Sequence, residues 1–134
     1  MMRYGVLVIA LAVVIGGCAT AGTPETPVAI TDVNQLAGHW TGWVFRPQVS
    51  GSVVTTIRPD GTFTASSNSP GITDVYGNIS VRDGKARYET TLSQQGGVVV
   101  TPSGTVQLFD GGGKRILRGQ SDDGMVKFNA SQVQ

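Results

Sequence analysis

Residues 73–92 read TDVYGNISVRDGKARYETTL, and the alternation within them decides the fold. Before the central Asp83-Gly84, Val75, Gly77, Ile79 and Val81 alternate with Tyr76, Asn78, Ser80 and Arg82. After it, Ala86, Tyr88, Thr90 and Leu92 alternate with Lys85, Arg87, Glu89 and Thr91. A period of two turns one set toward a core and the other toward water. Asp-Gly supplies the positive-φ residues of a tight hairpin loop. The stretch is therefore a β-hairpin with one buried face.

The same grammar recurs outward in both directions. Asp60-Gly61, Asp110-Gly111 and Asp123-Gly124 also separate alternating runs, and Pro59 pre-sets the first corner of the turn at Asp60. The pattern predicts strands near 38–46, 52–58, 62–67, 73–82, 85–92, 97–101, 104–110, 114–120 and 124–130. Val53, Ile57, Phe63, Ala65, Val106, Leu108, Ile116, Val126 and Phe128 join the predicted core. One short helical turn is expected at 32–36, where Asp32 suits an N-cap and Gln35 completes a capping box. Sequential short strands left open would expose two long edges. The fold class is all-β, a small antiparallel up-and-down barrel of about eight strands, since closure removes the edges. A β-sandwich is the alternative, with crossovers carried by the longer segments at 46–52 and 67–73.

Composition narrows the function. The 134 residues hold 10 Lys+Arg, 9 Asp+Glu, one His and one Cys, with a net charge of +1. That charge leaves no basic surface for nucleic acid. One His and one Cys make neither a Cys/His metal centre nor a nucleophile–base pair, so no catalytic residue, metal or cofactor is expected and the chain does not read as an enzyme. His39 has no carboxylate within reach along its own strand. The turn aspartates lack EF-hand spacing, which leaves them as turn formers.

The amino terminus, MMRYGVLVIALAVVIGG, sets Arg3 before an apolar run from Gly5 to Ile15. The run falls short of the roughly 20 residues of a spanning helix and fits a signal peptide. Ile15-Gly16-Gly17-Cys18 resembles the bacterial lipoprotein signal, an aliphatic residue and two small residues ahead of the cysteine. The resemblance implies removal of 1–17, lipidation at Cys18 with palmitate-type acyl chains, and attachment to the membrane through lipid. Ala19, where an Asp would retain the protein in the inner membrane, implies the outer membrane facing the periplasm. Residues 18–32, with Pro24 and Pro27, read as the lipidated cysteine and a flexible linker, and 33–134 as the barrel domain.

The strand GHWTGWVFR at 38–46 carries large apolar groups on both faces: Trp40 and Val44 with Arg46 on one, Trp43 and Phe45 on the other. Leu36-Ala37-Gly38-His39-Trp40 resembles the Gly-x-Trp opening of the lipocalin-like (calycin) barrels. The resemblance implies that Trp40 closes one end of the barrel beneath a basic residue from a late strand, for which Arg118 is the candidate. With Trp40 inward, Trp43, Phe45 and Tyr76 face outward as candidate partner or ligand contacts; a bulge near Gly42 would instead turn Trp43 inward. Three functions follow: a lipid-anchored structural or protein-interaction module, a periplasmic binder of a small apolar ligand, and a proteinase inhibitor. An apolar cavity of about 300 Å³ or more, open at one end, marks the binder, and a filled interior marks the module.

Overall fold

A computed structural model describes residues 24–134. Ten strands run in chain order: β1 Thr26–Val28, β2 Gly38–Arg46, β3 Val49–Ile57, β4 Thr62–Ser67, β5 Ile72–Arg82, β6 Lys85–Gln94, β7 Val99–Val100, β8 Ser103–Gly111, β9 Lys114–Ser121 and β10 Lys127–Gln132. Every pairing is antiparallel. β2 through β6 pair in sequence, β8, β9 and β10 continue, and β10 returns to β2, closing an eight-stranded barrel. The sandwich alternative is thereby set aside.

The closing seam joins β6 to β8 over four residue pairs, Ala86↔Val106 to Glu89↔Ser103. Each strand overhangs the other, and a short outer strand covers each overhang. β1 pairs with Leu108–Asp110 of β8, and β7 with Leu92 and Ser93 of β6. Both edges that the seam would expose are thus paired.

Register follows the turns. Asp83 and Gly84 have φ of 52° and 72°, so the hairpin closes with Arg82 opposite Lys85. The structure differs from four of the sequence expectations. Asp110-Gly111 lies in β8 opposite Arg115 and Lys114, and Gly112-Gly113 forms the turn, since consecutive glycines take two positive φ values as readily as Asp-Gly. Segment 46–52 is no crossover, because Arg46 pairs with Val49 around a two-residue turn. On β9, Leu117 is buried and Ile116 points outward, opposite Phe109. The expected linker joins the fold at Thr26, with Ile30 buried.

Inside the barrel, three aromatic rings lie over inward glycines of the neighbouring strand. Phe63 pairs with Gly77, Tyr88 with Gly104 and Phe128 with Gly119. A Cβ at Gly119 would lie 2.0 Å from the Phe128 ring, and one at Gly104 would lie 2.7 Å from the Tyr88 hydroxyl. The missing side chains give the rings their volume, a device that also stabilises glycine within a sheet. Tyr88 and Phe128 then meet edge to face with centroids 5.6 Å apart.

Candidate binding cavity

One end of the barrel is sealed. The 3-10 turn Val33–Leu36 begins with Asp32, whose carboxylate accepts from the Asn34 N–H at 2.8 Å, while Gln35 Oε1 accepts from the Asp32 N–H at 3.0 Å. The capping box read at 32–35 is present. The turn sets Leu36, fully buried, across the end of the barrel. Trp40, also fully buried, donates from Nε1 to the Leu36 carbonyl at 2.9 Å, which satisfies the indole polar atom inside the core.

Arg118 does not meet Trp40. It lies on the outer face of β9, where Nη2 donates to Glu25 Oε1 at 2.7 Å and the guanidinium stands 4.9 Å from the Phe109 ring centroid. The basic residue that reaches the sealed end is Arg115, whose Nη1 donates to the Gln35 carbonyl at 2.8 Å. The correction has the same cause as that of Ile116: odd-numbered residues of β9 face inward.

The opposite end is open. Val44, Ile72, Leu92, Pro102 and Val126 are half-buried there, whereas Trp40, Ile57, Leu108 and Leu117 at the sealed end are buried. Between them lies a cavity of about 130 Å³, lined almost wholly by apolar groups that include Val53, Phe63, Val75, Ile79, Val106 and Phe128. Tyr88 contributes its ring, and burial pushes its phenol up to about 12, which keeps it neutral below alkaline pH.

Asn68–Gly71 folds over this mouth. Gly51 makes room, since a Cβ there would lie 2.7 Å from the Ser69 nitrogen. Asn68 Oδ1 accepts from the Ser52 N–H at 2.7 Å, and Ser69 is buried. Arg46, in phase with Trp40 and Val44 on β2, reaches the loop from within and donates from Nη2 to Ser69 Oγ at 2.6 Å and to the Pro70 carbonyl at 2.9 Å. Strand parity was the sequence signal for Arg46; nothing in the sequence marked Ser69.

The outer wall carries the remaining expected contacts. β2 pairs with β3 without a register shift, so no bulge turns Trp43 inward. Trp43, Phe45 and Tyr76 are 55%, 47% and 53% exposed. Trp43 and Phe45 are successive outward residues of β2, with the exposed Val54 of β3 diagonal to Trp43, while Tyr76 stands on β5, beyond β4. A depression of about 390 Å³ runs beside Phe45, lined by Thr105, Gln107, Arg118, Lys127 and Phe128 among others. His39 is on the same wall, its Nδ1 3.0 Å from Thr56 Oγ1. Asp122 is engaged by Arg87 at 2.6 Å and Ser103 at 3.0 Å, and the Arg87 hydrogen bond holds its carboxyl below the usual range. Cys18 lies outside the described residues. Comparisons with protein-family models, with curated proteins and with solved structures returned no match.

Proposed function

We propose that the protein is a lipid-anchored envelope protein whose lipocalin-like barrel binds a small apolar group through its open end. The observation that carries this reading is the one-ended apolar cavity. Its 130 Å³ falls short of the about 300 Å³ expected of a binder that encloses a whole small molecule. It is close to the volume of about 150 Å³ at which a dry apolar cavity takes benzene or xenon. The bound entity is therefore a ring or the tip of a chain, not a bulky cargo.

Titration with benzene, followed by methyl shifts, tests this. Shifts should cluster at Val53, Val75 and Val106, and Ala65→Phe, which fills the cavity from β4, should abolish them. Unchanged shifts across the titration would remove the cavity reading. Anchoring has its own test: Cys18→Ser should block lipidation and release the protein from the membrane, and a mature-sized variant still partitioning into detergent would show a different anchor.

A second reading, an interaction module for a protein partner, is favoured by the outer wall. Trp43 and Phe45 are both exposed on β2, Phe45 beside that depression, and exposed aromatic rings suit a protein interface. Trp43→Ser with Phe45→Ser should then abolish partner capture while leaving benzene binding intact.

A further inference from the structure

Charge divides the barrel wall. Strands β9, β10, β2, β3 and β4 are consecutive neighbours around it and hold no Asp or Glu. The strand carboxylates stand on the other side, Asp74 on β5, Glu89 on β6 and Asp110 on β8. The remaining acids sit in turns and loops, and of the two that follow β9, Asp122 is engaged by Arg87 and Asp123 by Ser121. On the carboxylate-free side Trp43, Phe45 and Val54 are exposed. Lys127, exposed and in none of the three ion pairs among the described residues, stands opposite Phe45 on β10. Next to Asn129, the partner of Trp43 on β10, comes Arg118 of β9. Glu25 accepts from Arg118 at 2.7 Å, so the chain before β1 joins the barrel beside this same wall. The seven residue steps from Cys18 to Glu25 reach at most about 25 Å when fully extended. An anchor at Cys18 therefore keeps β1 and β9 within that distance of the bilayer.

We infer that the wall of β9, β10, β2 and β3 docks on the surface of the bilayer that holds the anchor, and that this surface is anionic. The inference rests on the Cys18 anchor proposed above and gives the exposed rings to lipid instead of to a protein. A barrel tethered at β1 has two walls to offer, through β8 and β6 or through β9 and β2. Carboxylates on the first repel anionic headgroups, whereas Lys127 on the second attracts them. An indole suits the headgroup level, and Phe45 and Val54 suit the apolar boundary beneath it.

Tryptophan quenching tests the assignment. The protein purified in detergent is incorporated from outside into vesicles of phosphatidylethanolamine and phosphatidylglycerol whose acyl chains carry bromine. The Trp43 signal is the difference between wild type and Trp43→Phe, an exposed substitution that leaves the buried Trp40 in both. Bromolipid should lower that signal at least twofold and leave the emission of the variant unchanged. Replacing phosphatidylglycerol with phosphatidylcholine, or introducing Lys127→Glu, should restore most of the signal while the protein still floats with the vesicles. Flotation with a Trp43 signal that bromolipid does not alter would overturn the docking and leave the anchor standing, with the rings free for a protein partner. Equal quenching on neutral and anionic vesicles would overturn the anionic surface. A protein that does not float would overturn the anchor, and the docking with it.

Discussion

The two ends of the barrel are made from the same strands with the same alternation, yet only one is sealed. Toward Trp40, inward residues are buried because the turn at 33–36 lies across them and is held by the Trp40 and Arg115 hydrogen bonds. Toward Arg46, residues of equal hydrophobicity are half-buried, because the Asn68–Gly71 loop covers only part of the opening. The difference is coverage, not composition. Burial under a lid concentrates stability at one end, and incomplete cover leaves apolar surface free for a ligand at the other.

The largest difference between the two ends is expected at Trp40. Trp40→Ala should destabilise the barrel by about 3–5 kcal/mol in urea melts, whereas Leu92→Ala at the mouth should lose about 1 kcal/mol. Equal losses would mean that the lid does not concentrate stability.

Tyr88 stands where the two halves meet, and alkaline pH tests how dry that region is. Its phenol is raised from 10.0 to about 12 by burial, so the folded state favours the neutral form. Its stability contribution is present below pH 10 and disappears as pH rises through 12, a loss of at most about 2–3 kcal/mol. Tyr88→Phe should flatten this alkaline limb in denaturation curves taken from pH 8 to 12, and an unchanged slope would place the hydroxyl in water.

Toward the mouth, Gly119→Ala should destabilise by about 1–3 kcal/mol through collision with the Phe128 ring. Phe128→Leu should relieve part of that loss, so a double-mutant cycle in thermal melts should be non-additive. The smallest effect belongs to the outer wall. Arg118→Met should change stability by under about 1 kcal/mol, since its pair with Glu25 is solvent-exposed, and should be additive with Trp40→Leu in urea melts.

The strands and the barrel were legible in the sequence because alternation and turn chemistry are local. The inward face of β9 is fixed by the register of its hairpin, and it is the opposite of the one expected from Ile116. A two-residue hairpin pairs residues whose numbers sum to an odd value, so an inward Leu108 requires an odd partner, and that is Leu117. Ile116 drew the assignment because Ile116 and Leu117 are both apolar and alternation alone does not choose between them. Inward glycines at 77, 104 and 119 are the sequence sign of aromatic rings on neighbouring strands. The cavity had no sequence signal, because its volume is what remains after non-local side chains have packed. Ser69 was likewise illegible, since its burial comes from a loop folding over Gly51.

The barrel encloses an apolar cavity reached from one end. Crystals of the protein held under xenon pressure probe this space. A xenon atom is expected inside the barrel between Phe63, Val75 and Phe128, displaced when Ala65→Phe fills the space. An interior without xenon, or one holding ordered water against those same side chains, would contradict it.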